Sequence, residues 1–176
     1  DWLDFFESLA GQAAMAIESI KAFEDLQRSN FELALAYSRT IEGWSHALDL
    51  RDRETQDHTF RVTEITIKLA RMAGMNDTEL MHVKHGALLH DIGKIGIHDH
   101  LISGLHSPTE QDQELLKCHP AIGGKMLKGL PFHTCVEQII LHHHEKFNGS
   151  GYPDGLMGEQ IPLSARIVGL ANIFDH

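Results

Sequence analysis

The chain contains the stretch Leu88-Leu89-His90-Asp91-Ile92-Gly93-Lys94, in which an apolar run ends in an imidazole and a carboxylate side by side. The apolar residues predict the last turns of a buried helix, and the glycine frees the backbone directly after it. Adjacent side chains on a helix point roughly 100° apart, so His90 and Asp91 can reach one metal ion only if it lies close over that turn. Because an isolated His-Asp pair is usually structural, its meaning depends on the rest of the chain.

Further imidazoles and acids lie on both sides of this pair. Upstream, Glu54 and His58 are four residues apart, which places both on one face of a helix. Downstream come His119 and then the run His142-His143-His144-Glu145. Histidine is also unusually frequent, with 14 in 176 residues. Since imidazole is the commonest neutral metal ligand, the pattern favours a metal centre.

The donor set indicates more than one metal ion. Four or more imidazoles with two carboxylates exceed a single tetrahedral zinc site. They suit two or three iron or manganese ions with a bridging carboxylate. Two such ions can hold a phosphoryl group and lower the pKa of water toward neutrality. Lys94 is then placed to touch a phosphate oxygen as a point charge, with a solvated surface lysine as the alternative.

Composition limits the class of protein. The formal net charge of -10 argues against a broad nucleic-acid footprint, although bound metal ions could still attract a small phosphate ligand. We find neither an apolar run of about 18 residues nor a signal peptide, so no membrane segment is expected. Cys118 and Cys135 have no metal or redox spacing and predict free thiols in the cytoplasm. A buried small hydrophobe is the favoured interpretation of Cys118 over a nucleophile.

The first 49 residues predict helix. Apolar residues recur at alternating steps of three and four, which is typical of an amphipathic seam, at Leu3, Phe6, Ala10, Ala13, Ile17 and Ile20. Because Asn30 and Gly43 are weak points, the pattern allows one long helix or two stacked helices. Such a segment either covers the core or is a dimerising connector that couples an upstream sensor to the domain.

The remaining chain predicts more helices and no strand. Six are expected, over about 54–72, 78–90, 109–118, 119–130, 132–145 and 163–174. Gly74 is a suitable C-cap, and Asn76 a suitable start for the helix that carries the His-Asp pair. Residues 93–108 and 148–155 are expected to be loops on composition. The predicted fold class is therefore all-α.

Taken together, the motifs resemble the HD-GYP subgroup of the HD phosphohydrolases from about residue 50 to the end. The similar segments are His90-Asp91-Ile92-Gly93-Lys94, His143-His144-Glu145-Lys146-Phe147-Asn148-Gly149-Ser150-Gly151-Tyr152-Pro153, Glu54-Thr55-Gln56-Asp57-His58, His119-Pro120 and Ile161-Pro162-Leu163. Residues 1–49 resemble the closing helix of a GAF sensor domain, leading into a signalling helix.

This resemblance implies an HD-domain helical bundle with a long N-terminal connector helix. It implies a phosphodiesterase that opens cyclic di-GMP to linear pGpG, and in some members on to GMP, at a centre of two or three iron or manganese ions. Asp91 and Lys94 would be catalytic, with Lys94 on the phosphate. By position, the implied metal ligands are Glu54, His58, His90, Asp91, His119, His143 and His144.

The resemblance also gives the Tyr152 loop a role. It would form a wall of the substrate site, and in some family members this loop is credited with binding partner cyclase domains. The alternative is a rigid Gly-Pro turn with Tyr152 packed on the core. His142 has no counterpart as a ligand and is expected to be structural.

The sequence departs from the family pattern at two places. The loop over 98–105 lacks the Lys-Pro-Gly that the family usually carries, and the last helix lacks the aspartate that is the family's last metal ligand. Asn172 occupies the position of the last aspartate ligand. Its amide oxygen can coordinate a hard ion but brings no charge, so the first metal is expected to be held less tightly. Asp175 is expected to be a helix residue or to contact a ligand. The chain also stops before segments that complete the family's domain, which predicts a connector over 1–49 and a C-terminally incomplete HD-GYP domain over 50–176.

Three functions follow from this sequence. The first is a metal-dependent cyclic di-GMP phosphodiesterase, the output domain of a signalling protein and a homodimer through its N-terminal helix. The second is a module that binds metal and cyclic dinucleotide with weak turnover and acts through a protein contact. The third is another HD chemistry, such as a nucleotidase or a mixed-valence diiron oxygenase.

Overall fold

Helices account for almost all regular structure in the computed structural model, which describes residues 1–51, 57–102 and 109–175. Eight α-helices are present in these ranges: α1 (Trp2–Arg51), α2 (His58–Met72), α3 (Asp77–Leu89), α4 (Asp99–Ile102), α5 (Glu110–Leu116), α6 (His119–Leu127), α7 (Thr134–His142) and α8 (Leu163–Asp175). Two 3₁₀ helices cover Ile92–Gly96 and Gly158–Gln160. The described residues form no β-strand and only an isolated bridge between Asn148 and Met157. The all-α prediction is confirmed.

The chain divides into two units, residues 1–40 and a second unit that begins at Ile41. The first unit is the N-terminal part of α1. None of its residues is buried, and the side chains of Leu3, Phe6, Ile17 and Ile20 each expose more than half of their surface. The prediction of a long N-terminal helix is confirmed, and α1 is a single helix rather than two stacked ones.

The core of the second unit lies around α3. One side of α3 packs Leu88 and Leu89 into a cluster with Ile41 and Leu48 from the end of α1. The other side packs Val83 and Ala87 into a cluster with residues of α2, α7 and α8. Because α3 is covered on both sides, the His-Asp pair that directly follows its last residue lies in the protein interior.

Capping residues fix where α3 begins. The Asn76 side chain accepts hydrogen bonds from the backbone amides of Thr78 and Glu79, and the Glu79 carboxylate accepts one from the backbone amide of Asn76. Gly74, just before it, has the positive φ of 85° that favours glycine. These signals were readable in the sequence, and the predicted start of α3 differs from the observed start by one residue.

The segment after α3 is more ordered than the sequence predicts. Residues 93–108 were expected to be a loop, but a 3₁₀ helix over Ile92–Gly96 and the short helix α4 occupy its first part, while 103–108 lie outside the described residues. Gly93 allows this path, because a Cβ there would lie 1.8 Å from the carbonyl oxygen of His119. Glycine at this position therefore lets the His-Asp stretch approach the start of α6.

Two further predictions concern the ends of elements and membranes. Helix α7 ends at His142, a turn before the predicted end at about 145. Among the helices in the described ranges, none combines the length and hydropathy needed to cross a bilayer. The predicted boundary between residues 49 and 50 stays a prediction.

Candidate metal centre

Four side chains from three parts of the chain converge on one point. Asp91, His119, His143 and His144 each present one ligand atom, and these atoms all lie within 4.8 Å of one another. Asp91 follows α3, His119 begins α6, and the two histidines follow α7. The ends of three packed helices thus bring together residues that are more than fifty positions apart, and the cluster is able to hold a metal ion.

His90 and His58 extend this cluster on one side. The ring of His90 lies 5.1 Å from that of His143, and the ring of His58 lies 6.2 Å from that of His90, both measured between centroids. Both side chains are almost completely buried. The structure therefore places five of the predicted imidazole ligands side by side. Glu54, the predicted carboxylate ligand upstream of His58, lies outside the described residues.

The orientation of four of these imidazoles is set by oxygen atoms behind them. In each ring Nδ1 faces an oxygen acceptor, so Nδ1 must carry the proton and donate it. The Nδ1–oxygen distances are 2.6 Å from His58 to Asp175, 2.8 Å from His90 to Ala87, 2.7 Å from His119 to Leu116 and 3.0 Å from His143 to Ile140. In the neutral form of such a ring, Nε2 is the nitrogen that presents a lone pair, as a metal ligand requires.

Asp91 shows most clearly that the donor set fits a cation. Its Oδ1 lies 3.1 Å from Nε2 of His119 and 3.6 Å from Nε2 of His143. Nevertheless, this buried oxygen makes no hydrogen bond, and neither does the buried Nε2 of His90. The Nε2 atoms of His119 and His143 also lie 3.3 Å apart. A buried carboxylate oxygen and imidazole nitrogens crowded together in this way suit a divalent metal ion between them.

The charges around Asp91 favour its ionised form. Burial would raise the pKa of the carboxyl, but His90 and Lys94 hold it well below its usual range. The Nζ of Lys94 lies 2.8 Å from the second oxygen of Asp91. Asp91 is therefore a carboxylate with Oδ1 toward His119 and His143 and Oδ2 between Lys94 and His90, whose Nε2 lies 3.3 Å from it.

The two histidines after α7 are neutral at physiological pH. Burial lowers the pKa of His143 to about 4, and burial with the charge of His143 lowers that of His144 to about 2. Neutral imidazoles bind metals, whereas protonated ones do not. Helix α8 lies very close to this pair at Gly169, where a Cβ would be 2.6 Å from the carbonyl oxygen of His143. Glycine at this position therefore permits the contact.

Asp175 fixes His58 from the other end of the chain. One oxygen of Asp175 accepts the Nδ1 proton of His58, and both oxygens accept hydrogen bonds from Arg61 at 2.7 Å. The Arg61 guanidinium, with the bond from His58, lowers the pKa of Asp175 to about 2. The carboxylate thus orients an imidazole, an arrangement common behind metal-binding histidines. The sequence suggested a contact with a ligand but not which ligand.

A cleft of about 400 Å³ opens directly on the cluster. It is lined by Asp91, Lys94, His119, His144, Tyr152 and Asn172, among others. The Tyr152 ring stacks on His144 with centroids 4.7 Å apart, and burial with the nearby Asp91 charge raises the pKa of its phenol to about 12. The carboxamide oxygen of Asn172 is buried and has no hydrogen-bond partner. Both side chains thus lie beside the cluster, as candidates for substrate and metal contact.

The loop that carries Tyr152 is anchored by Glu145. Its two carboxylate oxygens accept the backbone amides of Asp154 and Leu156 at 2.8 and 3.0 Å. His142 and Asp154 also lie near Glu145, so these three could form a second group of metal ligands. Because both Glu145 oxygens already accept backbone hydrogen bonds, this group serves the loop, which agrees with a structural role for His142.

The cysteines give one correction. Cys118 was expected to be buried, but it is exposed, and its thiol points back to the carbonyl oxygen of Glu114 at 3.4 Å. Helix α5 ends just before it and covers no core there, since none of its residues is buried. The sequence could not show this, because α5 is too short for its apolar face to be recognised.

Known proteins share this sequence pattern. The HD domain family model matches residues 42–176. The cyclic di-GMP phosphodiesterase response regulator RpfG of Xanthomonas campestris is 38% identical over 138 residues, covering 77% of this chain and 36% of that protein. The 3'3'-cGAMP-specific phosphodiesterase 2 of Vibrio cholerae is 32% identical over 166 residues, covering 92% of this chain and 30% of that protein.

Structural similarity points the same way. A crystal structure of a cyclic GMP-AMP-specific phosphodiesterase of V. cholerae, V-cGAP3, superposes with a TM-score of 0.63 at 25% identity, covering 78% of this chain and 40% of that one. The chain spans about a third of the length of the curated relatives it matches.

Proposed function

Because the chain belongs to the HD domain family, we propose that it hydrolyses a phosphodiester bond of a cyclic dinucleotide, with cyclic di-GMP as the substrate. One observation carries this proposal. The buried Oδ1 of Asp91 faces two imidazole nitrogens without a hydrogen bond, at the wall of a cleft that also holds a lysine. Such a site suits cations and a phosphate together.

The residues that would hold divalent ions are those already described around Asp91. His119, His143 and His144 gather around Asp91, and His58 and His90 lie beside them. Asn172 lines the same cleft as Asp91, and we propose Glu54, which lies outside the described residues, as a further ligand. We propose iron or manganese, since imidazole and carboxylate donors suit both. The chemistry supplied by such ions, when bound, is Lewis-acid polarisation of the phosphate and a lower pKa for the attacking water.

The chain's own residues bind and orient the substrate. Lys94 contributes a positive charge to a non-bridging phosphate oxygen, which gains negative charge as water adds to phosphorus. Tyr152 keeps its proton and forms the wall opposite, where it can donate to a phosphate or ribose oxygen. The water loses a proton as its oxygen bonds to phosphorus, the bond from phosphorus to the 3′ oxygen breaks, and that oxygen takes up a proton and leaves as a hydroxyl. The product is linear pGpG, and a second cleavage would give GMP.

This activity is tested by incubating cyclic di-GMP with protein loaded with manganese or with iron(II) and separating the products by chromatography. We expect linear pGpG from the loaded protein and none from protein treated with a chelator. A parallel reaction with 3'3'-cGAMP decides which cyclic dinucleotide is preferred. Absence of product over hours for both nucleotides would contradict the proposal.

One observation favours a second candidate function. Asn172 stands at the cleft wall with a neutral amide, so the centre carries one negative charge fewer than an aspartate would give it. If metal and nucleotide bind but no product forms, the chain is a binding module whose output is a protein contact. In that case the Tyr152 loop, with its exposed Phe147 and Asp154, would be the surface for a partner such as a cyclase domain.

We further propose that the protein is a cytoplasmic homodimer joined through residues 1–40. The apolar seam of this unit is exposed along its length, and a second copy of the helix would cover it as a coiled coil. Cys118 and Cys135 are free thiols, which suits a reducing compartment.

Ile20→Glu should weaken this dimer, because it would bury an unpaired charge in the seam. We expect the dissociation constant, measured by analytical ultracentrifugation, to rise at least about 10-fold, since one desolvated charge at an interface costs more than 1.4 kcal/mol. Ser19→Glu, which adds the same charge away from the seam, is the matched control. Equal dissociation constants for the two variants would exclude the seam as the interface.

A further inference from the structure

Arg51, the last residue of α1, binds the segment that follows the His-Asp pair. Its Nη1 donates to the carbonyl oxygen of Lys94 at 3.0 Å, and its Nη2 donates to that of Ile97 at 2.6 Å. Its Nε also donates to Oδ1 of Asp99 at 2.9 Å. One guanidinium therefore binds three points of the segment that runs from Lys94 to Asp99.

This turn determines where the Lys94 ammonium lies. The amide of Lys94 donates to the carbonyl oxygen of Asp91 at 2.9 Å, and the amide of Ile97 donates to the carbonyl oxygen of Lys94 at 3.0 Å. The Lys94 carbonyl thus accepts two hydrogen bonds, one from within the turn and one from Arg51. With the backbone held, Nζ reaches Oδ2 of Asp91 at 2.8 Å.

The same end of α1 also contacts the segment that carries His58. Asp49 accepts a hydrogen bond of 2.5 Å from the hydroxyl of Thr59, the residue after His58. The space enclosed between Asp49, Arg51, Thr59 and Lys94 is only about 10 Å³, room for one water molecule at most. The last turn of α1 therefore contacts both the start of α2, which carries His58, and the turn that carries Lys94.

We propose that Arg51 is a positioning residue, which sets the place of the Lys94 ammonium relative to Asp91 and hence to the substrate phosphate. The proposal rests on the phosphodiesterase function. The ion pair between Arg51 and Asp99 is exposed, since 82% of the Asp99 side chain is accessible, and exposed ion pairs add little to stability. The bonds to two carbonyl oxygens are the part that fixes geometry, and only a planar guanidinium can make them together.

The first experiment compares kcat and KM of the metal-loaded wild type with Arg51→Ala, Arg51→Lys and Lys84→Ala. Lys84 is the matched control, because it joins the same part of α1 to α3 through Glu42 at 2.8 Å, away from the cleft. We expect both Arg51 variants to lower kcat about 10-fold with KM and metal content within about twofold of wild type, because displacement of a group by 1 Å can cost up to 100-fold. Lys84→Ala should match wild type.

A double-mutant cycle identifies the route of the effect. If Arg51 acts through Lys94, Arg51→Ala should change kcat by less than about twofold in a Lys94→Ala background, since the interaction it supports is already lost. A full additional loss in that background would overturn the proposal, as would full activity of Arg51→Lys.

Hydrogen exchange separates failure of this proposal from failure of the phosphodiesterase function. The amides of Lys94 and Ile97 should exchange at least about 10-fold faster in Arg51→Ala than in wild type or Lys84→Ala, because local opening becomes easier. This measurement needs no turnover. Unchanged exchange at both amides would overturn the positioning role, even if the wild type hydrolyses cyclic di-GMP.

Discussion

Replacing Asp91 with alanine is expected to abolish turnover and to remove most of the bound metal. The carboxylate is the only acid among the four ligand atoms that cluster within 4.8 Å. Its loss would leave three imidazoles with the Lys94 ammonium beside them, which repels a cation. Since replacing groups that merely support a ligand costs 10–100-fold in metal affinity or activity, we expect a loss above about 100-fold here.

Elemental analysis of the purified variant and product chromatography with cyclic di-GMP check this expectation together. Asp77→Asn is the matched control, because Asp77 lies exposed in the first turn of α3, the helix that Asp91 follows. Circular dichroism should show the same helix content for both variants. If Asp91→Ala kept its metal and lost only turnover, Asp91 would contact substrate rather than the ions.

The architecture around the site could be predicted because local signals agree with one another. The capping box at Asn76 starts α3, an apolar stretch carries it through the core, and Gly93 permits the close turn after Asp91. Helical periodicity and turn residues depend only on near neighbours in the sequence, so they are visible without coordinates. The convergence of imidazoles on Asp91 was predicted from the residue types and their spacing, and the resemblance then assigned them as ligands by position.

Long-range polar contacts were not readable in the same way. Asp175 binds His58 across 117 positions, and Arg51 binds Asp99 across 48. In the sequence, Asp175 and Arg51 look like charged residues on a solvated surface helix. Their partners depend on how whole helices pack, which the sequence does not show. The sequence therefore indicated which residues could be ligands, but not which groups orient them.

The length of α1 illustrates a third case, in which the sequence left two alternatives. Gly43 and Asn30 each lower helix propensity by less than about 1 kcal/mol, which surrounding helix formers can offset. A Cβ on Gly43 would meet no atom within 4 Å, so this glycine answers no close contact and does not interrupt the helix. Propensity alone could not decide between one helix and two, whereas the structure has one.

Asn172→Asp is expected to increase the metal content of the purified protein. The Asn172 side chain is 8% exposed, and its buried carboxamide oxygen has no hydrogen-bond partner while it lines the cleft with Asp91 and His144. A carboxylate at this position would add a full negative charge to the cleft wall that Asp91 and His144 also line. We expect metal affinity there to rise at least about 10-fold, by analogy with the effect of ligand support, and turnover to rise with it.

The same substitution should have opposite effects on stability without and with metal. Without metal, a second buried carboxylate beside Asp91 repels the first, so the melting temperature should fall below that of wild type. With saturating manganese, tighter binding to the folded state should raise it, so the shift on adding metal becomes larger in the variant. Asn30→Asp, an exposed amide-to-acid change on α1, controls for net charge. If manganese shifts the melting temperature equally in wild type and Asn172→Asp, residue 172 does not face the ions. Weak metal binding caused by Asn172 would then no longer support the second candidate function.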